Sequence, residues 1–522
     1  MSNILHQISS QPLLLLPFIL TSIILYKWFY PNHHTKPKNT PPSPPKLPIL
    51  GNLHQLGLHP HHTLHSLSKQ YGDLMLLQLG QKPTLIVSSS KMAKQIMKTH
   101  DSISSNRPKS RVFDKLLYGS RDVASAPYGE YWRQMKSIFV LQLLSTKRVR
   151  SFRGIRDEES DNLVEKIKEN VSLEVNLSEM FIRLTNDVVC RAAFGRKYSG
   201  NEESCERGAG FEEVLKGFVE LVGMFDVGDF IPWMSWVNRV NGLNKRMDNV
   251  AKKFDMILEE IICEHLKRKL DCSEDENHTK DFVDVLLDIQ RDNSVGFPIE
   301  KDSIKALLLD AFAAGTDTTY TVLEWAMTEL LRHPRIMKNL QEEVRGIIQG
   351  KEYISEDDLD QMKYLKAVMK ETLRLHPPVP LLFPRETEKE LELNGYQIPA
   401  KTLVIINSSA IQRDAAIWEE PDKFRPERFL SCAIDVKGHD FELIPFGGGR
   451  RVCPGISFAM ANNEIVIAKL VNKYNWSLPH GIDCDSLDMS ECTGLTMHRK
   501  IPLLAVATPH FEVSRLEFGP VL

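Results

Sequence analysis

The run Phe446-Gly447-Gly448-Gly449-Arg450-Arg451-Val452-Cys453-Pro454-Gly455 sets a thiol behind consecutive glycines and two arginines. Glycine lets a backbone turn tightly beneath a flat cofactor, where side chains would collide. The apolar stretch from Ile456 to Val471 follows at helical spacing, so Cys453 lies just before a helix N-terminus. The helix dipole and the free N–H groups there favour a thiolate. A thiolate axial ligand pushes electron density onto haem iron and favours O–O cleavage. A buried structural cysteine after a glycine-rich turn is the alternative for a lone thiol; the motifs upstream favour a ligand of haem iron.

Further motifs lie upstream. Ala314-Gly315-Thr316-Asp317-Thr318-Thr319 falls within a long helical pattern. A threonine hydroxyl bonds the carbonyl four residues back, here Ala314 for Thr318, and loosens the helix. Gly315 removes bulk at the same place, and together they are expected to open a groove beside a cofactor. Glu371-Thr372-Leu373-Arg374 sets opposite charges three apart on one helix face.

These motifs and their order resemble those of the cytochrome P-450 family. Phe446, Gly449, Arg451, Cys453 and Gly455 match its haem-binding signature, Phe-x-x-Gly-x-Arg-x-Cys-x-Gly. The resemblance covers roughly residues 35–510, and Pro-Pro-Ser-Pro-Pro, Pro377-Pro378 and Cys-Pro-Gly look like a plant microsomal member of the seventy-one clan. It implies haem b, with Cys453 as the proximal ligand and Arg451 on a propionate. Trp132, Lys136 and Arg385 resemble the family's other propionate-binding positions; the family often has arginine where Lys136 stands, and lysine lacks the bidentate fork. Thr318 would orient water and protons for oxygen activation, and Asp317 would relay protons from outside. Glu371, Arg374 and Arg428 resemble the family's structural Glu-Arg-Arg network. Position in the family makes Phe113, Leu117, Tyr118, Ala311, Ala314, Val379, Leu382 and Leu495 candidates for a mostly apolar substrate pocket. The basic run Lys147, Arg148, Arg150, Arg153 and Arg156 resembles the surface that docks an acidic flavin reductase. The reaction implied is insertion of one oxygen atom from O₂ into an apolar plant specialised metabolite (terpenoid, alkaloid or phenylpropanoid), with electrons from NADPH through a reductase. A haem-thiolate isomerase or dehydratase that uses no O₂ is the alternative. A haem electron-transfer or sensor protein would need neither Asp317 nor Thr318.

The elements that must position these residues are mainly helical. With 522 residues, 42% hydrophobic and 25% charged, the chain can bury a large core. A net charge of −3 gives no reason to expect nucleic acid. Eight cysteines lack any C-x-x-C pair, so those other than Cys453 are expected to be reduced thiols. Amphipathic stretches at Ser89–Thr99, Arg156–Asn170, Leu243–Leu270, Lys301–Arg332 and Pro334–Gln349 predict helices, while Leu74–Leu79, Thr84–Ser88 and Thr402–Ile406 predict short strands. The polar stretch 271–280 reads as an exposed loop.

Leu13 to Tyr30 is apolar apart from Lys27, and a spanning helix needs about 17–25 such residues. Lys27, Lys36, Lys38 and Lys46 place the remainder in the cytoplasm by the positive-inside rule. Residues 1–30 are thus expected to anchor the chain in endoplasmic reticulum lipid as a single pass. Residues 31–50, with Pro41-Pro42-Ser43-Pro44-Pro45, would form a stiff hinge. Residues 51–522 would form one P-450 fold, mainly α with small β-sheets.

Overall fold

The principal helices, in chain order, are α1 (Pro60–Tyr71), α2 (Glu130–Ile138), α3 (Arg153–Lys168), α4 (Leu177–Phe194), α5 (Cys205–Val222), α6 (Leu243–Asp271), α7 (Lys301–Arg332), α8 (Pro334–Ile348), α9 (Lys363–Leu375) and α10 (Ile456–Lys473). This computed structural model describes residues 17, 19–23, 39–198, 205–271, 279–292, 297–349, 351 and 353–510. Most of the expected anchor, the start of the hinge and most of the 271–280 loop lie outside the described residues. Among those described, no helix is long and apolar enough to cross a membrane.

Local chemistry sets several helix ends. α4 starts where Asn176 Oδ1 accepts the Glu179 amide (3.2 Å) and stops at Gly195, whose φ of 73° is left-handed. α8 begins with proline at its first position, where a missing N–H costs nothing. α9 ends before Pro377-Pro378, which disfavours helix at the residue preceding it. α7 is buried on most sides from Ser303 to Leu331, and α4, α9 and α10 pack against it to form the main core.

The strands are β1 (Leu74–Leu79), β2 (Lys82–Val87), β3 (Glu174–Asn176), β4 (Arg385–Glu386), β5 (Leu391–Leu393), β6 (Tyr396–Ile398), β7 (Leu403–Ile406), β8 (Tyr474–Ser477) and β9 (Leu504–Pro509). One sheet runs β1-β2-β7-β4, another β3-β9-β8, and β5 pairs with β6. β2 and β7 are parallel, with Thr84 opposite Leu403; the other neighbours are antiparallel. The turn after β1 needs Gly80: φ is 57°, and a Cβ would lie 2.4 Å from the Phe230 carbonyl oxygen.

Candidate active site

The Cys453 loop is shaped by close backbone approach. Gly449 has φ 65°, and a Cβ there would sit 2.1 Å from the Met97 carbonyl oxygen. The Cys453 amide donates to the Phe446 carbonyl (3.0 Å), closing the loop, and the Gly455 amide points at Cys453 Sγ (3.4 Å). Lys136 Nζ donates to the Val452 carbonyl at 2.6 Å. Burial nevertheless pushes the Cys453 thiol up, and the Gly455 amide and Lys136 offset this only in part. The amide at the helix start thus favours the thiolate in the direction expected, and desolvation opposes it. A coordinating metal deprotonates a thiol outright.

Beside this loop is an unusual gathering of cations. Arg385 donates to Asp101 Oδ1 (2.9 Å) and to the Gly448 carbonyl (2.7 Å). Arg451 lies over the Trp132 ring at 4.1 Å and donates to the carbonyls of Ser105 (2.9 Å), Val123 (3.2 Å) and Ala126 (2.7 Å). Trp132 Nε1 shares the Val123 carbonyl at 3.0 Å. Arg107 donates to the carbonyls of Ala124 (2.8 Å), Phe383 (2.9 Å) and Pro384 (2.6 Å). Burial, then mutual repulsion, holds Arg107 well below the usual guanidinium range and brings Arg451 down to about 9. Burial likewise lowers Arg385, and lowers Lys136 to about 8. Most of these donors end on neutral carbonyls, so positive charge is in excess. The residues fit a flat cofactor carrying two carboxylates, as haem b does.

The Glu371 carboxylate lies in the opposite condition. It accepts from Arg374 Nε (2.7 Å) and Nη2 (2.9 Å), Arg428 Nε (3.1 Å) and the Arg425 amide (2.7 Å). Arg374 spends further donors on the carbonyls of Gln412 (2.8 Å) and Pro421 (2.6 Å). Gln412 Oε1 then accepts the Ile444 amide (3.0 Å), tying this knot to the strand of chain entering the Cys453 loop. Glu371 and Arg374 are fully buried.

Above α7 lies a cavity that joins Asp317 and Thr318 to Phe113, Leu117, Ala314, Val379 and Leu495. Ala311 packs into the main core, and Leu382 packs against the Cys453 loop, with Cδ1 3.8 Å from where a Gly447 Cβ would stand. Neither lines the cavity. Tyr118 donates to Asp255 Oδ1 at 3.0 Å instead. Thr318 Oγ1 donates to the Ala314 carbonyl at 2.7 Å, as expected, yet α7 runs unbroken through this segment. Gly315 serves a different purpose from the one expected. A Cβ there would meet Val189 at 3.2 Å, so it brings α4 close to α7 rather than opening a groove. The Asp317 carboxylate, raised by burial, accepts a hydrogen bond from Thr496 on the loop that carries Leu495.

Several wall residues escape sequence reasoning. Phe218, Val219 and Val222 on α5 reach the cavity, as does Phe383. Asp310 also lines it and accepts the Val123 amide at 2.6 Å, its acidity suppressed by burial and by Asp122. A charge inside the apolar run Leu307-Leu308-Leu309-Asp310-Ala311-Phe312 was the signal available for it. For Arg107, and for the α5 residues, no local signal exists.

The basic run divides. Lys147 and Arg150 are exposed. Arg148 donates to the Lys280 carbonyl (3.1 Å) and Arg153 to Asp357 (2.9 Å). Arg156 is fully buried, donating to Glu356 at 2.6 Å, and offers no surface. The described cysteines (Cys190, Cys263, Cys432, Cys453, Cys484 and Cys492) are unpaired.

Fold and loop together define a haem-thiolate protein, and comparison with known proteins agrees. The family model "Cytochrome P450" matches residues 41–505, and the chain belongs to that family. It is 55% identical to cytochrome P450 736A117 of Prunus mume, over 96% of each chain. It is 51% identical to cytochrome P450 71A4 of Solanum melongena (95% of this chain, 98% of the relative), and 48% identical to norfluorocurarine oxidase of Strychnos (94% and 96%). A zebra fish cytochrome P450 solved with abiraterone superposes with a TM-score of 0.74 at 26% identity, covering 87% of this chain and all of that one. Members are monooxygenase oxidoreductases that bind haem b, and use O₂, an organic substrate and a redox partner.

Proposed function

We propose that Cys453 is the proximal ligand of haem b. On this reading the chain inserts one atom of O₂ into an apolar plant specialised metabolite, with electrons from NADPH through a flavin reductase. The observation that carries it is the Cys453 loop itself: a thiol aimed at by the Gly455 amide, beside buried cations in excess of their counter-charges. Haem, when bound, supplies the oxidising chemistry. Arg451, Arg385, Lys136 and Arg107 hold its carboxylates, and Trp132 supports Arg451. Phe113, Leu117, Val379 and Leu495 exclude water and orient the substrate, while Thr318 and Asp317 hold and move protons in the same cavity. Among relatives, the one named norfluorocurarine oxidase supports an organic substrate of that kind, and the mostly apolar wall suits terpenoid and phenylpropanoid classes too.

A membrane position is part of this reading, with residues 1–30 as anchor, 31–50 as hinge and 51–522 as the enzyme facing the cytoplasm at the endoplasmic reticulum. Its support is an apolar surface. Leu47, Ile49, Leu50, Trp233 and Trp236 are exposed, and their segments adjoin: the Gly80 amide bonds the Leu50 carbonyl (3.1 Å) and the Gln81 amide bonds the Phe230 carbonyl (2.8 Å). Exposed apolar patches of this kind mark contact with protein or lipid.

The test is spectroscopic. The reduced carbon monoxide complex of the full chain should show the red-shifted Soret band of thiolate ligation, and Cys453→Ala should lose it. An unchanged band in the variant would sink the assignment. Co-expression with a plant reductase, followed by a product screen under ¹⁸O₂, should then show one labelled oxygen in the product.

A further inference from the structure

Four histidines crowd into His59-Pro60-His61-His62-Thr63-Leu64-His65 at the start of α1, a concentration for which haem chemistry has no use. Two of them converge on a partner far away in sequence. His61 Nε2 lies 2.9 Å and His62 Nε2 lies 3.1 Å from the same oxygen, Oε2 of Glu491. The His61 and His62 rings are 4.0 Å apart, and the His59 ring stands 6.1 Å from each. The buried Nδ1 atoms of His59 and His61 have no hydrogen-bond partner.

We infer that His61 Nε2, His62 Nε2 and Glu491 Oε2 form a binding site for a first-row divalent transition-metal cation, with zinc the cation of best geometric fit. Zinc binds imidazole nitrogen and carboxylate oxygen at about 2.0–2.2 Å, so tetrahedral ligand atoms stand about 3.3–3.5 Å apart. The two nitrogen–oxygen spacings need open by only a few tenths of an ångström to admit it, and all three ligand atoms lie within 4.8 Å of one another. The fourth position falls to water, with the His59 ring as neighbour.

The three groups are of the types that bind zinc, imidazole nitrogen and carboxylate oxygen. Arg413, a nearby cation, is directed to Ser409 Oγ (2.7 Å) and the Leu375 carbonyl. Access is provided by His62, whose side chain is 60% exposed beside a 15% exposed Glu491 and a 2% exposed His61. The other histidine–carboxylate group, His265 with Asp281 and Asp284, differs. There both ring nitrogens of His265 are already engaged at 2.8 Å, by Asp281 and by the Ile261 carbonyl, and all three residues are buried.

The site would join α1 to the loop of the substrate cavity. The backbones of Glu491 and Arg499 form an antiparallel β-bridge, and the Cys492 amide bonds the His498 carbonyl (2.9 Å), so the chain from 491 to 499 folds back on itself with Leu495 and Thr496 between. A cation bound at its base would restrain that loop.

The experiment uses the haem-loaded full chain, prepared without a polyhistidine tag and stripped with chelator. Zinc is titrated calorimetrically, and bound metal is counted by atomic absorption after gel filtration. One zinc per chain is expected, with X-ray absorption showing imidazole scattering from two rings. His62→Ala and Glu491→Gln should each weaken binding at least about tenfold, equivalent to about 1.4 kcal/mol, while keeping the haem spectrum. His62 is exposed, so its variant folds even if Glu491→Gln does not. Absence of binding by the wild type, or equal binding by wild type and His62→Ala, would overturn the site.

Discussion

Two buried clusters of charge grip the Cys453 loop, and they are built on opposite principles. Around Glu371, the cations share an anion: two guanidinia and a backbone amide converge on one carboxylate, and Gln412 hands the arrangement on to Ile444. Around Arg451, like charges meet. Burial, and then repulsion from neighbouring arginines, disfavours charge on Arg107 and Arg451; burial does the same at Arg385, which faces Asp101. The first cluster is complete within the chain and serves as scaffold. The second leaves most of its donors on neutral carbonyls, which suits the cofactor carboxylates proposed above. What the cations face, a carboxylate or mostly carbonyls, separates the two clusters.

The comparison breaks most easily at Glu371. Glu371→Ala would leave Arg374 buried without its counter-charge and should cost about 3–5 kcal/mol of stability, with or without haem, as read from urea unfolding. If the variant unfolds at the wild-type midpoint, the network is not scaffold. Arg451→Gln tests the other half. It should cost about 1.5–3 kcal/mol of haem affinity, measured by transfer to apomyoglobin, and much less of apoprotein stability, because it also relieves repulsion. Equal losses in both assays would erase the distinction drawn above.

A smaller effect lies within the framework itself. Burial raises Glu464 on α10 from its ordinary 4.5 to about 7. Between those values the unfolded chain has released the proton and the folded chain still holds it, so stability falls as pH rises through this window and levels off above it. Glu464→Gln should remove that slope in urea midpoints collected from pH 5 to pH 8. The smallest change in stability, within about 0.5 kcal/mol, belongs to Thr318→Ala on a helix that favours alanine. Its consequence should appear instead in coupling, with less product and more peroxide per NADPH oxidised.

What could be read in the sequence followed the same divide. Glu371 and Arg374 share one helical turn and Cys453 sits in a ten-residue signature, and the order of these motifs along the chain made them recognisable. Periodicity gave α3, α6, α7, α8 and α10 and three strands of the larger sheet, but not α4 or the short β4. Among the cations beside the Cys453 loop, Arg451, Lys136 and Arg385 were named from the family resemblance, and Arg107 was missed. Arg107 reaches its place only because the chain before α2 folds back beside residues 383–384, and nothing in Asn106-Arg107-Pro108 announces that. The cavity wall was partly legible: α7 and the residues after α9 were found by position, whereas Phe218, Val219 and Val222 on α5 are ordinary apolar residues until tertiary packing turns them inward. Gly315 was misread for a related reason. Whether a missing Cβ makes room for a ligand or for a neighbouring helix depends on what packs there, and here it is Val189.

The contact between Thr496 and Asp317 has a consequence for how such enzymes diversify. One side chain of the loop holds the acidic residue of α7, and its neighbour Leu495 shapes the wall that a substrate meets. Alterations that reshape the wall at residue 495 therefore pull on the Asp317 carboxylate as well, the proton carrier proposed above. Duplicated copies exploring new substrates would inherit a penalty in wasted reducing power, and recovery of efficiency would require compensating change within a few residues of Thr496. Directed libraries that vary positions 495 and 496 together should outperform those that vary 495 alone.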